Sequence, residues 1–467
     1  MYLQDEWPKI ADGSPWNGKD LLELVRGGES PFADVWDVNL LITEIEENVG
    51  KHVVDIPLVN CGSNNYGFQM TLFSGEEVVA RLARGDVNMP GFDGFSLESQ
   101  IAEIEFEAAV YELLRDHSQL KTSRLLYHRA PAQCRGEKSA IPKNIVGRRL
   151  MVFNRAAGRS SGAWNSLSGQ QQLDLVTQAA TLRAALFSFE LPLDFASQYL
   201  HDRLFEQKPN ALPVPVTPTR DFCVTLFTSK IEATIRKIGD MIGWESDNNV
   251  VGPIAAAAKQ SLLKFVPVML PKETTDTPLF YRLILEHGDF GIHNMTIDDG
   301  DTPTITSLFD WETGCIVPAL LSDTCMAVAG ADLILDEDAR PAVKRISRDA
   351  GVEKVAQAKA CTVGYHGVLF ERAPEYERVM RAGRDARFLW FKLRDWRGDD
   401  PEGYFGRLGA WAEGRLAESR VWKSLFQEMV MNDCSDAVND SWSSEPQACA
   451  FATGSFCVFV HGTPDLA

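Results

Sequence analysis

"LEHGDFGIHNMTIDDGDTPTITSLFDWE", Leu285 to Glu312, is the stretch whose reading decides the fold. "YRLILE" (281–286) is apolar enough for a strand, and "HGDFGIHN" (287–294) reads as a loop. "MTI" and "TITSLF" read as short strands joined by "DDGDTP", which is rich in turn formers. Hairpin pairing lays the start of the first strand beside the end of the second, with neighbouring strands about 4.8 Å apart. Asn294 is therefore expected close to Asp310, with Asp289 one loop away.

An asparagine amide and a carboxylate are oxygen ligands that suit Mg²⁺, a hard cation that keeps waters and substrate phosphates in its remaining positions. Acids gathered beside an amide are costly to bury, and a metal–phosphate complex removes that cost. Asp289 is then free to accept a proton or orient a hydroxyl. Taken alone, "DDGD" at 298–301 is a solvated turn. The whole spacing is more specific. His-x-Asp-x-x-x-x-Asn, a hydrophobic strand and then Asp is the layout of a kinase catalytic loop and metal-binding aspartate.

The rest of the chain is compatible with an enzyme of this kind. Its 467 residues, 45% hydrophobic and 24% charged, suggest two or three globular units. A net charge of −19 argues against nucleic acid and against a polybasic membrane anchor. Nine cysteines without a C-x-x-C pair suggest neither a disulfide framework nor a zinc cage, and fit reduced thiols in the cytoplasm. The N-terminus lacks the basic and apolar regions of a signal peptide, and no apolar run is long enough for a transmembrane helix.

Residues 1–35 read as a polar lead with a short helix near "KDLLELVRG". "KHVVDIPLVNCG" and "NYGFQMTLFSGEEVVARLAR" read as three strands turning at Gly62 and Gly75. A long helix follows over 97–117, capped by Ser96, and "SRLLYHRA" and "RRLMVFN" add two strands. Ser168 and Gln171 form a capping-box signature, after which the texture is helical. Helices are expected over much of 200–270, interrupted by "PNALPVPVTPTR", and around 322–334, 340–349, 353–372 and 376–396. The expected architecture is α+β and bilobal. A first lobe (36–155) combines an antiparallel sheet with one long helix. A mainly helical lobe (156–430) follows, then a tail (431–467).

With these residues in place, the sequence resembles the aminoglycoside phosphotransferase (choline-kinase-like) family. "HGDFGIHN" (287–294) matches its loop, "LFDWE" (308–312) its metal motif, and Gly314, Pro318 and Asp323 the pattern that follows. The resemblance spans about residues 50–415 and implies a protein-kinase-like fold, ATP and Mg²⁺, and a small-molecule hydroxyl as acceptor. It implies Asp289 as catalytic aspartate, Asn294 and Asp310 as metal ligands, and His287 as a brace for the loop. Glu312 would face substrate. "CGSNNYGF" would lie over the phosphates through Gly62, Ser63, Asn64 and Asn65, although those residues alone also fit an ordinary hairpin turn. Arg81 would stand in for the phosphate-pairing lysine, since its fork binds phosphate bidentately. Glu107 would pair with it, or else lie on a solvated helix face. Backbone around Phe153 to Arg155 would meet the adenine.

Other readings of the chain are weaker. "GRSSG" (158–162) matches a hydrolase nucleophile elbow but lacks the immediate strand before and helix after. His287 and His293 are not at a zinc spacing. No Ala-Pro-Glu follows Asp310, which argues against a protein kinase. Trp390, Trp396 and Trp411 read as packing residues. The remaining alternative is a kinase-like binding module without turnover, for which the arginine at 81 and the irregular glycine loop speak.

Overall fold

The computed structural model describes residues 7–439, apart from 11, 86–95, 133–143, 160, 205–208, 236–244, 273–276, 299, 301, 347–349 and 397–399. Ser160 of "GRSSG", Asp299 and Asp301 of the acidic turn, and the tail beyond 439 lie outside the described residues.

Five strands form an antiparallel sheet: β1 (Val53–Cys61), β2 (Asn65–Leu72), β3 (Glu77–Ala83), β4 (Leu125–Arg129) and β5 (Leu150–Asn154), in the order β1-β2-β3-β5-β4. The side-chain period of two sorts their residues. Tyr66, Phe68, Met70, Leu72, Ala80, Leu82, Leu150 and Val152 enter one core; Met151 and Phe153 enter another, larger one. Helices α1 (Leu21–Arg26) and α2 (Val38–Val49) cover the first face. The lead before β1 is polar in composition yet contributes Trp16, Phe32 and Trp36 to that core. The second face carries α3 (Leu97–Leu114), which starts where the Ser96 hydroxyl accepts the Ser99 N–H at 3.1 Å.

The second core is mainly helical: α4 (Gly169–Ser188), α5 (Leu193–Leu204), α6 (Arg220–Thr234), α7 (Glu245–Met269), α8 (Thr277–Tyr281), α9 (Val352–Arg372), α10 (Pro374–Ala382), α11 (Arg384–Arg394) and α12 (Pro401–Asn439). The Ser168–Gln171 capping box forms at the start of α4. Strand β6 (Leu283–Glu286) pairs with β9 (Cys315–Pro318), and β7 (Met295–Asp298) with β8 (Thr304–Leu308), the expected hairpin. Among the described residues no helix is long and apolar enough to cross a membrane. Trp390 packs on Phe227, Trp396 on Tyr404 and Trp411 on Phe265, as the packing reading expects.

The helices expected around 322–334 and 340–349 are instead an antiparallel sheet of β10 (Met326–Val328), β11 (Ala331–Leu335) and β12 (Pro341–Lys344). Gly330, at φ 81°, makes the turn that a helix would not allow. Backbone pairing with the loop fixes this sheet in place, because the Ala327 N–H donates to the Phe290 carbonyl at 3.0 Å.

Two backbone seams tie the β7–β8 hairpin to the rest of the chain. The Leu308 N–H donates to Lys121 O, and Lys121 Nζ to Ile305 O, both at 2.8 Å; the Ser123 and Ser307 hydroxyls meet at 2.8 Å. After β5, Arg159 and Ile297 exchange two backbone hydrogen bonds of 2.8 Å. Gly158 precedes that seam at φ 100°. A Cβ there would lie 2.1 Å from the Ile297 carbonyl oxygen, so only glycine fits.

Candidate functional site

The hairpin register settles what meets what. Met295 pairs with Leu308, and beyond that pair the Phe309 N–H donates to the Asn294 carbonyl at 3.0 Å. Asn294 thus sits across from the residue before Asp310. Its buried amide donates through Nδ2 to the Asp289 carbonyl at 2.9 Å and to Asp289 Oδ2 at 3.2 Å. With the nitrogen committed to Asp289, the amide has its oxygen to offer a cation.

The loop between β6 and β7 is held by its own groups. His287 is fully buried, and Nε2 lies 2.8 Å from the Phe309 carbonyl. A carbonyl only accepts, so Nε2 carries the proton. Burial pushes the imidazole pKa down to about 4, which leaves the ring a neutral brace, as the resemblance implies. Gly288, at φ 78°, is the one residue that fits beside Thr313: a Cβ would lie 1.9 Å from the Thr313 carbonyl oxygen. Asp289 is 52% exposed in its side chain. His293 Nε2 donates to its Oδ2 at 2.9 Å, and that hydrogen bond holds the carboxyl below its usual range and raises the imidazole.

Asp310 stands in left-handed backbone at φ 72°, a conformation that costs a non-glycine residue about 1–3 kcal/mol. Its N–H donates to the Tyr111 hydroxyl of α3 at 3.0 Å. Arg81 Nη2 meets Asp310 Oδ1 at 2.5 Å, while Nη1 meets Glu107 Oε1 at 3.1 Å. Burial alone would raise the Asp310 pKa; the Arg81 cation outweighs it and holds the carboxyl low. Glu107, 2% exposed in its side chain, is raised by burial even though Arg81 pulls the other way. The solvated alternative for Glu107 is therefore excluded, and Glu107, Tyr111 and Arg81 form one stripe facing Asp310. Tyr111 follows Glu107 by four residues, so helical spacing could have nominated it.

Above this stripe runs the β1–β2 turn. The Gly62 N–H donates to the Asn65 carbonyl at 2.9 Å, closing a turn that contains Ser63 and Asn64. Arg84 Nη1 donates to Gly62 O at 3.2 Å. The Asn64 amide reaches across the cleft to Glu312 Oε1 at 2.9 Å. The other Glu312 oxygen accepts from Arg149, and Arg203 Nη2 donates to the Glu312 carbonyl at 3.0 Å. Both Glu312 carboxylate oxygens, expected to face substrate, are thus engaged by Asn64 and Arg149. Arg149 and Arg203 escaped the sequence reading because their partners lie more than a hundred residues away.

The segment expected to meet the adenine is engaged within the protein. Strand β5 is paired on both edges, so the Phe153 backbone is committed to β3 and β4. The Arg155 N–H donates to Glu77 O at 3.0 Å and its guanidinium to Glu77 Oε2 at 2.7 Å. Phe153 instead sends its ring into the core beside Tyr111, with centroids 4.7 Å apart. The connector begins only at Ala156.

No family model matches the chain, and no curated protein does. Solved small-molecule phosphotransferases do match it. Aminoglycoside phosphotransferase APH(4)-Ia is 16% identical, over 82% of this chain and 98% of its own, at a TM-score of 0.38. Spectinomycin phosphotransferase APH(9)-Ia, solved with ADP and spectinomycin, is 13% identical over 80% and 98%, at 0.33. A microcompartment-associated aminopropanol kinase is 13% identical over 82% and 98%, at 0.32. At such values, what the site does rests on its own side chains.

Proposed function

We propose that the chain is an ATP-dependent phosphotransferase that moves the γ-phosphoryl group to a hydroxyl of a small molecule. The observation that carries this reading is the gathering of Asp289, Asn294 and Asp310 on one hairpin, opposite the Arg81–Glu107 pair. The donor set fits a hard cation: an amide oxygen with its nitrogen occupied elsewhere, and a carboxylate kept ionised. Asn294 and Asp310 would hold Mg²⁺, which supplies neutralisation of the phosphate charge when bound. Arg81, steadied by Glu107, pairs the phosphates from the other lobe. The turn Gly62–Asn65 covers them. The adenine lies against the connector from Ala156 onward.

Asp289 accepts or orients the acceptor hydroxyl. Hydrogen bonds from His293 and Asn294 keep it charged at neutral pH, and its half-exposed position lets an acceptor approach. Little covalent work is asked of the protein; positioning and charge neutralisation supply the acceleration. The test is a panel of amino sugars, choline-like amines, sugars and other hydroxylated metabolites, incubated with ATP and Mg²⁺ and read as transferred phosphate. Asp289→Asn is expected to lower turnover by about 10²–10⁴-fold and to leave ATP binding within a factor of about two. Normal turnover in that variant would remove Asp289 from the mechanism. Binding of ATP with no transfer and no hydrolysis would favour the binding-module alternative.

A further inference from the structure

The strand that leads into the catalytic loop ends on a buried carboxylate. Glu286 is the last residue of β6, is 7% exposed, and is followed directly by His287. Burying a carboxylate is costly unless its oxygens are paired and hydrogen-bonded. Those of Glu286 are. Oε2 accepts from Arg183 Nη2 and from the Asp323 N–H, each at 3.3 Å. Oε1 accepts from the Ser322 hydroxyl, and the Tyr376 hydroxyl lies 3.5 Å from the same oxygen. Tyr376 is also bonded to Ser322 and lies 3.4 Å from the Asp323 carbonyl. One side chain thus ties β6 to α4, to the segment after β9, and to α10.

Arg183 extends the grip past the loop's reactive residue. Its guanidinium lies 5.0 Å from the ring centroid of Phe290, the neighbour of Asp289. The same cation therefore holds the chain on both sides of Asp289. The helices that carry these anchors are fixed to each other, since the Tyr376 ring stacks on Phe187 at 4.0 Å. An ion pair kept only for stability is often replaceable by apolar groups at no loss, whereas a satisfied buried network can fix the direction of the groups it joins.

We propose that Glu286 is a positioning residue for phosphoryl transfer, acting through Arg183 to set the backbone around Asp289. The chemistry of this statement rests on the phosphotransferase reading; its geometry does not. Glu286 is none of the residues assigned above to nucleotide, metal or acceptor.

The experiment compares the full-length protein with Glu286→Gln, which keeps the shape and removes the charge. Amide hydrogen exchange is expected to speed up by at least about tenfold at residues 287–294, with α4 and α10 unchanged. Turnover of ATP is expected to fall by about tenfold to a hundredfold, in line with the cost of a small misplacement, with KM for ATP and the affinity for ADP and Mg²⁺ within about twofold. Ser322→Ala and Tyr376→Phe, which each remove one hydroxyl, are expected to give smaller changes of the same kind and serve where Glu286→Gln does not fold. Unchanged exchange at 287–294 would overturn the proposal. So would equal acceleration across α4, α10 and the loop, which marks a plain stability residue. Wild-type protein that neither binds ADP nor turns over ATP would sink the phosphotransferase reading, while the exchange comparison would still decide what Glu286 does to the loop.

Discussion

Removing the Arg81 cation is the perturbation that the structure constrains best. Arg81→Met keeps length and apolar bulk but leaves Glu107 without its cation and Asp310 without a partner. Breaking a buried ion pair from one side costs about 3–5 kcal/mol, because the survivor stays buried and charged. For a cooperative unit of 150–250 residues, 1 kcal/mol shifts Tm by roughly 2–4 °C, so the loss is roughly 6–20 °C. Neutralising the survivor restores part of it. Arg81→Met with Glu107→Gln is expected to be more stable than Arg81→Met alone, by about 1–3 kcal/mol. The pH dependence has a definite sign. Burial already raises the Glu107 pKa, and loss of Arg81 raises it further. The penalty is therefore full above that raised pKa and fades as pH falls toward the ordinary glutamate value. Calorimetry at pH 8 and pH 5 reads both effects. A Tm for Arg81→Met within about 2 °C of wild type, or a double variant no better than the single, would refute the buried-pair reasoning.

Other consequences are as direct. Asn294→Ala and Asp310→Asn are each expected to abolish Mg²⁺-dependent tightening of ATP binding, measured by titration calorimetry with and without chelator. Gly288→Ala cannot keep both its positive φ and its distance from Thr313, and a loss of stability above about 1 kcal/mol is expected in urea unfolding. Buried His366 has its pKa pushed down to about 4, so the folded chain keeps it neutral where the unfolded chain takes up a proton. Stability from this group is lost as pH falls from about 6.5 through about 4, by roughly 3 kcal/mol in all, and His366→Leu should flatten that slope.

The parts of the site that the sequence made legible are those built from neighbours in the chain. Asp289, Asn294 and Asp310 lie on one hairpin, and pairing rules alone bring them together. Glu107 followed from the resemblance, as the acid of the long helix that would pair with Arg81. The Glu312 contacts were not legible, because Asn64 and Arg149 approach from the other lobe and no local pattern announces them. The engagement of the Phe153 backbone was not legible, because only the sheet order shows that β4 flanks β5. "CMAVAGADLIL" holds helix formers, and only the turn at Gly330 and its pairing with the loop make it a sheet. In α12 the glycines at 403, 406, 409 and 414 obscure the helix. One of them lets α12 approach α7 closely, since a Cβ on Gly409 would lie 3.1 Å from Ala258.

The seam between Lys121–Ser123 and β8 has a practical corollary. A polypeptide nicked between Arg155 and Gly158 would still be sewn together by the ribbon at Lys121–Ser123 and by the Arg81–Asp310 and Arg149–Glu312 pairs. Two separately expressed halves could therefore find each other and reconstitute the cleft, which makes the connector the natural place to divide this protein for a split-reporter assay.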